Sequence, residues 1–122
     1  MKYCLFCIVC ICLVGCHSVT RDCTDFKTGS FYSEVTIDNT LYTSTFSRTE
    51  KLQIENYNGK IDSAQVRWIN NCEMIFKTIN PKNRAARKDV HLKILTTTDS
   101  SYTFEYSYVG EKQKQKGIAF KN

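Results

Sequence analysis

The amino-acid sequence predicts an all-β fold, an antiparallel meander of about eight short strands forming a small barrel or half-barrel. Three observations carry that expectation. Residues 26–122 show no sustained helical period, apolar and polar residues alternate with period two in run after run, and Asn, Asp, Gly and Ser cut those runs at short intervals.

Phe31, Val35 and Ile37 alternate with Tyr32, Glu34 and Thr36 until Asp38-Asn39 interrupts the first strand. Leu41 to Arg48 is rich in Thr and aromatics, the residue types that suit a pleated, half-buried surface. Leu52, Ile54 and Asn56 lead into Asn58-Gly59, the strongest hairpin signal in the chain, because both residues accept the positive φ of a tight turn. Ala64, Val66 and Trp68 alternate with Ser63, Gln65 and Arg67; beyond Asn70-Asn71, Met74, Phe76 and Thr78 share one parity against Glu73 and Lys77. After a loop around Pro81 come Val90, Leu92 and Ile94, then the turn Asp99-Ser100-Ser101. Tyr102, Phe104, Tyr106 and Tyr108 make an aromatic ladder, and a turn at Gly110 precedes a last strand ending in Ile118 and Phe120.

The turn at Asn70-Asn71 invites a register. A loop of those two residues would set Trp68 opposite Glu73 and split the apolar parity. A three-residue loop, Ile69 to Asn71, pairs Trp68 with Cys72, Val66 with Met74 and Ala64 with Phe76, so that both strands turn their apolar side chains the same way. On that register Trp68 packs beside Cys72. Lys112, Lys114 and Lys116 alternate with Gln113 and Gln115, which reads as a charged edge strand that discourages pairing with another chain.

The amino terminus has a different character. Lys2 is followed by an uncharged apolar run that ends at Cys16, after which His17, Ser18, Thr20, Arg21 and Asp22 follow. That is the charge and length pattern of an export signal, and it falls short of the roughly 20 apolar residues that span a bilayer. The first alanine is Ala64, so ordinary cleavage after small residues has little to recognise. The stretch Leu13-Val14-Gly15-Cys16 resembles the lipobox of bacterial lipoproteins. The resemblance implies removal of residues 1–15, a lipid on the Cys16 thiol, a tether over 16–25 and a domain over 26–122. It places the protein in the cell envelope, held to a bacterial membrane and expected on the periplasmic side of the outer one.

Removal of 15 of the 122 residues leaves 107, enough for one small domain. Lys2 is lost with them, so the 17 basic side chains become 16 against 12 acidic, formally +4, too mild and diffuse to imply a nucleic-acid partner. Cys4, Cys7, Cys10 and Cys12 fall in the discarded segment, where the metal-like spacing of Cys4, Cys7 and Cys10 has no use. With Cys16 lipidated, Cys23 and Cys72 remain, and in an oxidising compartment such a pair is expected to form a disulfide; two unpaired buried thiols are the alternative. The bridge would close a loop worth roughly 3 to 4 kcal/mol on the chain-entropy account.

Catalytic signatures are sparse. His17 adjoins the anchor and His91 stands between Val90 and Leu92 with its side chain on the opposite face; there is no Gly-x-Ser-x-Gly elbow, no phosphate-cradling glycine loop and no His-Glu-x-x-His. Glu34, Glu55, Glu73 and Glu105 sit at strand positions where exposure is the default. No metal or other cofactor is expected. The one charge cluster, Lys82, Arg84, Arg87 and Lys88, reads as a solvated loop or as a contact for anionic headgroups.

At Lys27 to Phe31, "KTGSF", a Gly-x-aromatic entry into the first strand is similar to the start of lipocalin-like barrels, with Phe31 where that family carries Trp. The resemblance implies a small barrel whose interior, from Phe31, Val66, Trp68, Phe76, Leu92 and Phe104, either lines an apolar ligand or simply fills. The expected function is a non-catalytic, lipid-anchored binding or interaction module. The alternatives are a structural envelope lipoprotein with a solid core that holds a protein partner, and, third, a small hydrolase.

Overall fold

The computed structural model describes residues 21–122, and within them eight antiparallel strands follow one another around a closed barrel. These are β1 (Gly29–Ile37), β2 (Thr40–Arg48), β3 (Leu52–Tyr57), β4 (Lys60–Asn70), β5 (Glu73–Thr78), β6 (Val90–Thr97), β7 (Ser101–Tyr108) and β8 (Gln115–Lys121). Each pairs with its neighbour in sequence, and β8 returns to β1 with Phe31 opposite Lys121 and Val35 opposite Gly117. This up-and-down order is lipocalin-like. The ring is closed rather than half-open, so each of the eight strands has a paired neighbour on both sides.

Local chemistry explains the tight corners. Asp38 and Asn39 take φ of 49° and 64°, and Asn58 and Gly59 take 50° and 81°. Two consecutive positive φ values make the turn whose twist matches the flanking strands, and it joins Ile37 to Thr40 and Tyr57 to Lys60.

The β4–β5 corner corrects the expected register. Trp68 pairs with Met74, Val66 with Phe76 and Ala64 with Thr78, two residues away from the pairing read from sequence. Asn70 pairs with Glu73 around Asn71-Cys72, and Ile69 is an extra residue on β4. The bulge does what the three-residue loop was invoked to do: one unpaired residue restores the inward parity on both strands. Asn70 Oδ1 accepts the Cys72 backbone N–H at 2.9 Å and closes the corner.

The core fills one end of the barrel. A short 3-10 helix, Cys23–Phe26, plugs it, with Cys23 and Phe26 buried. Cys23 is disulfide-bonded to Cys72, with Cα atoms 5.3 Å apart. Arg21 donates to the Ile94 carbonyl at 3.0 Å, fixing the entering chain to β6. Phe31, Met74, Ile94, Tyr102 and Ala119 pack with the plug's Phe26 in the buried core. Trp68 and Cys72 are half-buried against this cluster. Gly117 lets β8 pass close to its neighbours, since a Cβ there would lie 2.7 Å from both Phe104 and Val35 side chains and 2.8 Å from the Glu34 carbonyl. The eight described strands, the plug and the bridge all lie within 21–122, where the strands close a ring around one packed core.

Candidate functional site: an open cup above a buried arginine

At the other end the barrel is hollow. A cavity of about 740 Å³ opens between the strand ends at Ile37, Tyr57, Thr78 and Tyr108, within the range of roughly 300–1,000 Å³ typical of small-molecule sites. Its rim carries two tight turns and two longer loops, 79–89 and 109–114. Lys82, Asn83 and Ala86 of the first loop and Glu111 and Gln113 of the second line it.

Arg48 forms the floor. It is 3% exposed, and no carboxylate pairs with it among the described residues. Its Nε donates to Gln53 Oε1 at 2.8 Å, Nη1 to the Phe26 carbonyl at 2.9 Å and Nη2 to the Tyr102 hydroxyl at 3.0 Å. The guanidinium also stands 5.1 Å from the Phe46 ring centroid and 5.5 Å from that of Phe31, with Trp68, Phe76 and Tyr102 within 6.0 Å. Aromatic faces and neutral acceptors thus replace its water. Burial pushes the Tyr102 phenol up, against the opposing influence of Arg48.

The walls differ in chemistry. Phe76, Val90, Leu92, Phe104 and Tyr106 make an apolar side from β5, β6 and β7. The opposite side, from β1 to β4, carries Ser33, Ser44, Gln53, Glu55 and Asp62. Ser33 Oγ and Ser44 Oγ share a hydrogen bond of 2.8 Å, and Ser44 Oγ donates to Glu55 Oε2 at 3.4 Å. Burial raises the Glu55 carboxyl above the ordinary Glu value; the Ser44 hydrogen bond opposes this and the Asp62 charge adds to it.

Glu55 therefore corrects the default of an exposed strand carboxylate. On β3 the apolar residues Leu52 and Ile54 face outward while Gln53, Glu55 and Tyr57 face the interior, because Phe46 pairs with Glu55 and Arg48 with Gln53. The hint in the sequence was that Phe46 and Arg48 share a parity, so whatever pairs with them shares the interior.

All six residues read as interior-lining have the inward parity, but they divide between two roles. Phe76, Leu92 and Phe104 line the cup, whereas Phe31, Val66 and Trp68 belong to the packed end below it. The basic residues Lys82, Arg84, Arg87 and Lys88 lie on the mouth loop around a short 3-10 helix, Ala85–Arg87, and Lys88 pairs with Glu111 at 3.2 Å. That end is opposite the one where the amino-terminal chain enters. Lys112 and Lys114 precede β8 and belong to a mouth loop, and only Lys116 is on the strand. The closed ring has no edge for them to protect. His91 and Glu73 meet at 2.9 Å on the outer wall, where the hydrogen bond from His91 holds the Glu73 carboxyl below its ordinary value. Among the described residues no group of three His, Cys, Asp or Glu side chains stands close enough to hold a metal. Cys16 lies outside the described residues.

No family model, no curated protein and no solved structure matches this chain.

Proposed function

We propose that the protein is a lipid-anchored envelope module that carries a small, largely apolar ligand in the open half of its barrel and performs no catalytic step on it. The observation that carries this reading is the cavity of about 740 Å³ above Arg48. A solid barrel of this size would have filled it with side chains, as small barrels usually do; here residues of modest volume, Ser33, Ser44, Ala64 and Val90, leave the space open.

The anchor belongs to the same reading. Five positions separate Cys16 from Arg21, a reach of at most about 18 Å, and Arg21 is bonded to the closed end. A lipid on Cys16 holds the plug next to the bilayer and turns the mouth, with its basic loop, away from it. Contact of Lys82, Arg84, Arg87 and Lys88 with headgroups of the same membrane is disfavoured by that arrangement. The competing reading, a partner-holding structural lipoprotein, is left without a free edge strand, because each strand has a neighbour on both sides of the ring.

The test is a fluorescence titration of residues 21–122 with N-phenyl-1-naphthylamine. Enhanced, saturable emission that is lost when Val90→Trp fills the cup supports the reading, and no saturable binding by the folded protein overturns it. The anchor has its own measurement: the mature chain should begin at Cys16 and carry added lipid mass, and an unmodified chain retaining residues 1–15 refutes it.

A further inference from the structure

We propose that the cup selects an apolar amine, its ammonium held by Glu55 and Asp62 on one wall with the tyrosine faces of the cup completing the cage. The proposal rests on the ligand-cup reading above and names the chemistry of its ligand.

Glu55 and Asp62 are direct cross-strand partners on β3 and β4, and both line the cavity. Like charges placed opposite one another in a sheet repel, and a half-enclosed wall weakens the solvent's ability to screen them. Among the described residues no Lys, Arg or His nitrogen lies within 4.0 Å of either carboxylate. Glu55 keeps one long hydrogen bond, from Ser44. An ionised carboxylate accepts hydrogen bonds and donates none, so the group that completes this wall is a donor with positive charge.

The remaining surroundings favour an organic cation over a hydrated metal ion. Tyr42, Tyr57, Tyr102, Tyr106 and Tyr108 all line the cavity. Tyr106 stands on β7, four strands from β3 around the ring and hence across the cup from Glu55; burial raises its phenol, and the Glu55 charge adds to this. Carboxylate on one side and aromatic faces on the other is the arrangement that recognises ammonium groups. The apolar body of such a ligand then lies along Phe76, Leu92 and Phe104, which offer no hydrogen bond. An anionic ligand fits less well. Arg48, the one buried cation among the described residues, already gives three of its five N–H donors to Gln53, Phe26 and Tyr102 and has aromatic rings over its faces, while Lys60 and Lys82 line the cavity only from the exposed rim.

The experiment compares dansylcadaverine, which carries a primary ammonium, with its N-acetyl derivative, which is neutral and otherwise alike, on residues 21–122 at neutral pH. The amine is expected to bind about tenfold tighter, the order of effect of a desolvated ammonium contact. Glu55→Gln is expected to bring the ratio close to one, and Glu73→Gln on the outer wall to leave it unchanged. Equal affinities in the unmodified protein, or a preference that survives Glu55→Gln, overturn the proposal. Should Glu55→Gln not fold, Asp62→Asn at the exposed rim carries the same test, and an undiminished ratio there is equally fatal. N-phenyl-1-naphthylamine separates the two levels: if it binds while the amine shows no preference, the cup stands and the amine falls, and if none of the three probes binds, both fall.

Discussion

Arg48 closes the floor of the cup with three hydrogen bonds and a surround of aromatic rings, and two of those bonds go to groups that have little else to meet them, the Phe26 carbonyl and the Tyr102 hydroxyl. Truncating a buried charged hub leaves its acceptors unsatisfied and opens a void. Arg48→Ala is therefore expected to cost about 3–5 kcal/mol, read from the urea midpoint of residues 21–122. Trp68 behaves in the opposite sense. Its indole N–H is buried without a partner among the described residues, so Trp68→Phe removes an unmet donor and should change stability by only about 1 kcal/mol. Glu55 gives a pH signature. Its folded pKa is raised, so the folded state takes up the proton more readily than the unfolded chain. Its favourable contribution is complete below the unfolded pKa and is lost as pH rises through the folded value. Glu55→Gln should accordingly stabilise the unliganded protein at neutral pH, with the gain shrinking as pH falls to the ordinary carboxylate range, in paired urea titrations.

Among the elements, the plug and the β8–β1 seam are the ones most exposed to single changes. The bridge from Cys23 to Cys72 spans 49 positions and holds a four-residue helix that has too few internal hydrogen bonds to persist alone. Cys72→Ser should lower stability by about 3–4 kcal/mol, and reducing the unmodified protein should have the same effect. At the seam, Gly117→Ala drives a methyl into Phe104, Val35 and the Glu34 carbonyl. The backbone oxygen cannot swing aside as a side chain can, so the substitution should cost about 1–3 kcal/mol, visible as an earlier thermal transition. The bulge at Ile69 illustrates why registers are harder to read than strands. Parity is a local property of side chains, whereas the offset between two strands depends on one unpaired residue whose conformation the neighbouring strands select.

Taken as a whole, the molecule has a tightly packed half and an open half on one continuous ring, and ligand binding should couple to the stability of both. A ligand present at about 100 times its Kd stabilises the folded state by about 2.7 kcal/mol, which for a domain of this size raises Tm on the order of 10 °C. N-phenyl-1-naphthylamine should produce that shift with the unmodified span and not with Val90→Trp. The all-β class, the order of strands, the Asp38-Asn39 and Asn58-Gly59 corners and the Cys23–Cys72 pair were all legible in the amino-acid order, because alternation, turn chemistry and the count of thiols are properties of short segments or of composition. Closure was legible only as a choice between barrel and half-barrel, and the hollow end, the inward face of β3 and the interior places of Arg48, Glu55 and Asp62 were not legible at all. Those depend on which residues meet across the barrel: Gln53 and Glu55 look like exposed polar positions until Phe46 and Arg48 are set beside them. Whether a ring of side chains fills its interior is a sum over eight strands at once, and no single strand carries that information.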